Sequence, residues 1–331
     1  MVLRSEMKGA SALKTSDRPR EGVSKLTFQA LGTECSIQFV AENEEQARTF
    51  GRAVVAWVDK FEARYSRFRD DSLISRINVA AGRDWVEIDE EMGVLLQLCD
   101  QLYMTTSGIF DPTALPLIRL WYRSLGMPVP ELPSDVAVAD AMSKVGWLRV
   151  EKDSERIMLP DQGMAIDFGG FGKEYAVDQA ASIAEAHGLE AYLVDFGHDI
   201  RVVGAPRGLP CWHIGLEDPF KPEQCWSSLG ITDRGIASSG DYIRSFVRNG
   251  RRYGHIIDPR TGYPVSNGNR CVTVLADTCL ESGILSTTAF ILGPEEGRSL
   301  IDSTFGAEGC VVSEKQTDET RGFYQYVVPE N

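Results

Sequence analysis

Residues 164–178, MAIDFGGFGKEYAVD, constrain this chain more than any other stretch. It opens on a short apolar run, residues 164–166, that reads as a strand. It then crosses Gly169, Gly170 and Gly172 within a few residues. Beyond Lys173 the apolar spacing changes: Tyr175, Ala176, Ala180, Ile183, Ala184 and His187 fall on helical spacing, and Gly188 is a natural stop. Strand, glycine turn and helix expose backbone N–H groups and the positive end of a helix to whatever lies over the turn. Phosphate is the commonest such guest. Asp167 can orient a group or hold a metal, and Lys173 can neutralise a phosphate. The glycines lie too close to Lys173 for a P-loop, and no Ser or Thr follows it. The same turn also suits a fold that needs only close helix–strand packing, so both readings stay open here.

Composition narrows the partners. A net charge of −14 repels nucleic-acid phosphates and suits a soluble protein that approaches an anionic substrate with magnesium. The length of 331 residues and 43% hydrophobic content allow one large domain or two smaller ones. No apolar run reaches the length of a membrane span. Residues 1–24 mix Arg4, Lys8, Lys14, Arg18 and Arg20 with small polar residues. They show no signal peptide or lipobox and read as a disordered tail before one domain over residues 25–331. Seven scattered cysteines without a C-x-x-C pair fit free thiols in a reducing cytoplasm, the expected location. Four histidines without a cluster argue against a soft transition-metal site.

Along the chain, residues 26–30 and 35–40 read as an opening strand or hairpin, and 42–65 as an amphipathic helix with Phe50, Val54, Trp57, Val58 and Phe61 on one side. Helices are expected over 73–78 and 90–106, an irregular excursion over 121–133, and a hairpin from 145–150 and 156–159. Candidate strands follow at 191–196, 200–203, 212–216, 230–237, 242–247 and 271–276. A helix is expected over 281–292 and terminal strands at 309–312 and 323–328. Hairpins alternating with helices indicate an α+β fold, with mixed or antiparallel sheets and flanking helices, and not a doubly wound parallel sheet.

A second stretch, residues 253–262, YGHIIDPRTG, ends a strand in an Asp-Pro turn closed by Gly262. His255 has Asp258 three residues on, in a turn that can bring both to a cleft edge. Histidine can serve as a general base near neutral pH. A histidine that merely fixes the turn through the backbone is the alternative, which spacing alone slightly favours. Asp195, His198 and Asp199 invite a metal reading, but a strand-end turn beside the core is preferred. Trp212-His213 reads as strand core.

Six motifs then occur in order: Leu31-Gly32-Thr33; Tyr65-Ser66-Arg67-Phe68-Arg69 with Ser72; Gly108-Ile109-Phe110-Asp111; Ile166-Asp167-Phe168-Gly169-Gly170 with Lys173; Ser239-Gly240-Asp241-Tyr242; and His255-Ile256-Ile257-Asp258-Pro259 with Thr261-Gly262. Together they resemble the ApbE family of FAD:protein FMN transferases over most of the chain. The resemblance implies a two-lobed, T-fold-like α+β architecture and a magnesium-dependent reaction. FAD would lie between the lobes. A Thr or Ser hydroxyl of an acceptor flavoprotein would attack the phosphorus on the FMN side, AMP would leave, and FMN would stay as a phosphoester. By this resemblance Leu31 stands where a methionine packs on the flavin, and Phe68 where an aromatic meets it. Ile109, Phe110, Asp111, Asp167, Lys173, Ser239 and Ile256 belong to the FAD-binding set. Gly170 would offer a backbone oxygen to the metal, and His255 would be the base with Asp258 beside it.

The residue chemistry agrees, because phosphoryl transfer needs charge neutralisation and positioning more than covalent help. A threonine hydroxyl also needs a base. One departure stands out. The family pattern places an Asp and a Thr four residues apart as metal ligands; here Gly283 takes the Asp position and Thr287 the Thr position. Magnesium wants hard oxygen ligands, so its binding weakens markedly unless Asp277, Glu281 or water substitutes. Leu31 for methionine is milder, since either packs against a ring. The departure keeps two alternatives open: an FAD-binding protein that does not transfer, and a magnesium-dependent FAD pyrophosphatase.

Overall fold

The computed structural model describes residues 22–125, 131–242 and 244–329. Eight strands form one sheet whose spatial order follows the chain: Ser24–Ala30, Thr33–Phe39, Tyr192–Phe196, Asp199–Val203, Arg234–Gly240, Asn269–Ala276, Glu308–Ser313 and Thr317–Glu319. Every neighbouring pair is antiparallel. The first two strands join through Leu31 (φ 54°) and Gly32 (φ 72°), both left-handed, the turn geometry that matches strand twist. Leu31 carries a Cβ and holds this conformation at a cost of about 1 kcal/mol.

Insertions between these strands build the rest. Before Tyr192–Phe196 come α1 (Glu44–Tyr65), α2 (Leu73–Ala80), α3 (Glu90–Thr105), α4 (Leu115–Leu125), α5 (Asp135–Met142) and α6 (Gly172–Ala186). Asn43, Ser72 and Asp89 cap the first three by accepting a backbone N–H of the first turn. After Asn269–Ala276 come α7 (Cys279–Leu292) and α8 (Pro294–Ser303). Period-two alternation sends Tyr192 and Val194 into the helical layer with Phe50, Val54, Phe61 and Phe171. Leu193 and Val202 go to the other face, under the hairpin Trp212–Asp218 with Lys221–Ile231. The α+β architecture is therefore as the sequence implies.

Several local expectations need correction. Residues 164–166 form no strand. The Asn78 side chain brackets them instead: its Nδ2 donates to Ile166 O (2.9 Å) and its Oδ1 accepts the Ile166 N–H (2.7 Å). A side-chain amide thus satisfies backbone groups that a ladder would otherwise satisfy. The expected strand at 145–150 is a 3-10 turn, Trp147–Arg149, and the hairpin is Glu151–Lys152 with Arg156–Met158. The excursion at 121–133 begins too early, because Trp121 is buried in α4; residues 126–130 lie outside the described residues. The strand at 230–237 is broken at Asp233 (φ 51°), and residues 323–325 form a 3-10 turn. His213 is exposed while Trp212 is buried. The tail expected over residues 1–24 lies mostly outside the described residues; Val23 is already buried, and Ser24 opens the first strand. Among the described residues no helix is long and apolar enough to cross a membrane.

Candidate active site

The glycine turn presents its backbone outward. Gly169 and Gly170 are exposed, while Phe168 and Phe171 on either side are buried with their rings 5.1 Å apart. A Cβ at residue 169 would stand 2.7 Å from Asp167 Oδ2, and one at 170 would stand 3.0 Å from Phe110 Cε2. Side chains at these positions would press on Asp167 and on Phe110. Phe110 in turn meets Phe171 edge-on at 5.7 Å.

Asp167 pairs with Arg67 Nη1 at 2.7 Å, with both side chains largely buried. Burial pushes the Asp167 carboxyl up, and the charge of Arg67, the Gly169 N–H and Arg119 pull it back. Burial, then the charge of Arg67, push the Arg119 guanidinium below its ordinary value. Two guanidiniums beside one carboxylate leave a positive corner next to the turn. Sequence reasoning quoted Arg67 within a motif without a role and missed Arg119. No local spacing links either residue to Asp167.

Lys173, in the first turn of α6, lies 2.7 Å from Asp199 Oδ2 and donates to Gly197 O at 3.2 Å. Burial opposes its charge, but Asp199 holds the ammonium above its ordinary range. The turn carrying Asp199 closes on itself, with Asp195 Oδ1 accepting the His198 N–H at 2.8 Å. Gly197 sits against the opening hairpin: a Cβ there would meet Thr33 Oγ1 at 2.5 Å. The half-buried Leu31 tip is thereby brought to the Lys173 side of the molecule.

On α7, Thr287 Oγ1 lies 2.8 Å and Ser286 Oγ 2.9 Å from Ser239 Oγ. Gly283, one turn before Thr287, is buried. A Cβ there would stand 2.6 Å from Glu174 Cγ and 2.9 Å from Glu174 Oε1. The acid in front of Gly283 is thus Glu174 of α6, and not Asp277 or Glu281. Asp277 pairs with Arg234, and Glu281, two residues before Gly283, projects from another side of α7. Glu174 Oε2 is buried without a hydrogen-bond partner. Burial, then the charge of Asp199, push this carboxyl well above its ordinary value. Among the described residues no three carboxylate, imidazole or thiol side chains gather into a metal cage.

His255 follows the strand Arg251–Gly254, and its Nδ1 is buried with no hydrogen-bond partner. Burial first, then the charges of Arg244 and Lys173, hold the imidazole down to about 4. It is neutral at pH 7 and can accept a proton. The expected pairing with Asp258 is not formed. Both Asp258 oxygens receive the Arg260 guanidinium (2.9 and 3.0 Å), and Oδ1 also receives the Arg260 N–H. Asp258 lines a groove of about 440 Å³ with Thr261, Tyr263 and Asn267. Asp111 also turns inward: Oδ1 accepts from the Thr113 N–H (2.7 Å) and Thr113 Oγ1 (2.5 Å), and Oδ2 from the Trp147 N–H (3.2 Å). It braces the segment carrying the buried Ile109 and the half-buried Phe110. Phe68 is 83% exposed, with the Arg67 guanidinium 4.7 Å from its ring centre. Ile256 is half-buried against the core formed with α7 and α8.

Residues 31–311 match the ApbE family. An FAD:protein FMN transferase of Klebsiella pneumoniae (strain 342) is 28% identical across 98% of this chain and 93% of its own length. Another, of Vibrio cholerae serotype O1, is 28% identical across 87% and 86%. The fold is similar to that of the ApbE protein of Thermotoga maritima, with a TM-score of 0.83 and 30% identity over 93% of this chain and 100% of that one. It is similar as well to the flavinyl transferase ApbE of Pseudomonas stutzeri, with a TM-score of 0.80 and 25% identity over 93% and 98%. On its fold, on the order of its six motifs and on this match, the chain belongs to the ApbE family.

Proposed function

We propose that the chain is an FAD:protein FMN transferase that moves the FMN half of FAD onto a Thr or Ser hydroxyl of an acceptor flavoprotein and releases AMP. The observation that carries this reading is His255, an uncharged imidazole with an unpartnered Nδ1 in the field of Lys173. In the reaction the acceptor oxygen bonds to the FMN-side phosphorus, and the bond from that phosphorus to the AMP oxygen breaks. The hydroxyl proton passes to His255. The N–H groups of the Gly169-Gly170 turn and the charge of Lys173 face the phosphates. Leu31, Phe68, Ile109, Phe110 and Ile256 offer apolar contact to the flavin side, and Ser239 a hydroxyl.

Magnesium belongs to this reading. The residues present fit a hard cation held partly by protein and partly by substrate phosphates: exposed backbone at Gly170, the Thr287 hydroxyl, and an orphaned carboxylate oxygen before Gly283. When bound, it would neutralise charge on the pyrophosphate oxygens. A protein that holds FAD without transfer is favoured only by the bare Gly283, and Glu174 beside it weakens that ground. All seven cysteines are free, which supports a reducing compartment such as the cytoplasm.

AMP release from FAD and magnesium, followed with and without a threonine-bearing acceptor domain, tests the reading. Release that depends on the acceptor is expected. Release of FMN and AMP without acceptor indicates a pyrophosphatase, and bound FAD without release indicates a binding protein.

A further inference from the structure

Helices α6 and α7 meet in matched steps. Asp178 of α6 accepts the Cys279 N–H (2.9 Å) and the Leu280 N–H (2.8 Å) at the start of α7. One turn back along α6 and one turn on along α7, Glu174 stands before Gly283. A further step leads toward Gly170 and Thr287. Glu174 Cγ lies close to where the Cβ of a residue at 283 would be. One bond beyond a glutamate Cγ is its carboxyl carbon, just as one bond beyond an aspartate Cβ is its own. The carboxylate from α6 therefore enters the volume that an aspartate on α7 would reach. Its Oε2 is buried with no hydrogen-bond partner, and an unpaired buried carboxyl oxygen carries a cost that a bound cation would relieve. Lys173 acts on the Glu174 carboxyl through charge alone, since its ammonium is directed at Asp199 and Gly197.

We propose that Glu174 is the carboxylate ligand of the magnesium site in this chain, supplied from α6 into the space left by Gly283. In this chain the carboxylate comes from α6 and not from α7. This assignment rests on the transferase reading above, which gives the site its metal.

Manganese(II) prefers the same hard oxygen ligands as magnesium and is read directly by electron paramagnetic resonance. Titrating it into the full chain with FAD tests the assignment. Glu174→Gln should weaken manganese binding at least about 10-fold, because one anionic ligand is removed, while FAD alone still quenches as in the parent. The double variant Glu174→Gly/Gly283→Asp returns the carboxylate to α7 and should recover the parent affinity. Unchanged manganese affinity in Glu174→Gln, or a folded double variant that binds no manganese, would overturn the role of Glu174 while acceptor labelling by the parent left the transferase reading intact. A parent that binds no FAD would overturn that reading and this assignment with it.

Discussion

Lys173 Nζ stands 2.7 Å from Asp199 Oδ2 and joins the first turn of α6 to the central sheet. The pair fixes the ammonium beside the glycine turn, and the Asp199 side chain is only 8% exposed. Lys173→Ala strands that carboxylate. The expected loss is about 3 kcal/mol in a urea unfolding experiment, because breaking a buried pair leaves an uncompensated charge. FAD affinity should fall as well, by roughly 1–3 kcal/mol for a lost charged contact. An unchanged flavin dissociation constant would remove Lys173 from the phosphates.

His255 gives a pH signature. Its imidazole is held down to about 4, so the base form persists well below the ordinary histidine range. The transfer rate should stay level from neutral pH through 6.5 and fall only as pH drops through about 4. Between those two values the unfolded chain binds more protons at this residue, so its contribution to stability rises with pH across that window. His255→Ala should lower transfer about 100-fold with FAD binding retained. A rate that already halves near pH 6.5, or equal rates for variant and parent, would count against His255 as the base.

Gly283→Ala sets two effects against each other. Alanine in a helix gains about 1 kcal/mol over glycine. The added Cβ, however, would stand 2.6 Å from Glu174 Cγ, and overpacking costs about 1–3 kcal/mol. The expected result is a net loss of about 1 kcal/mol in thermal or urea unfolding, relieved when Glu174 is also replaced by glycine. A stability gain from Gly283→Ala alone would place Glu174 elsewhere.

Asn78→Ala should open the approach to the glycine turn. It deletes both hydrogen bonds that bracket Ile166 and leaves a buried N–H unsatisfied, at about 2 kcal/mol. Faster hydrogen exchange at the Ile166 amide checks this, and unchanged protection there would contradict it.

These residues also mark what a sequence can reveal. The opening hairpin, α1 and α6 were readable because period-two and helical apolar spacings are local. Residues 164–166 look like a strand for the same local reason, but their partner is the amide of Asn78, 88 residues away. In α4, Pro116 near the start and the Gly/Pro-rich stretch after it concealed a helix whose Trp121 is buried. Lys173 and His255 stand out in the sequence only within motifs. Asp258 is expected beside His255 from a three-residue spacing, but its carboxylate is taken by Arg260, two residues on. Glu174 reads as an ordinary helix-surface acid until α7 packs against it with a glycine at the contact. Arg119 gains meaning only beside Arg67 and Asp167.

The most direct test of transfer is the intact mass of a threonine-bearing acceptor domain after incubation with the chain, FAD and magnesium. The expected result is a mass raised by one FMN, lost when the acceptor threonine is replaced by alanine. An acceptor of unchanged mass, in a sample where FAD is bound or cleaved, would contradict it.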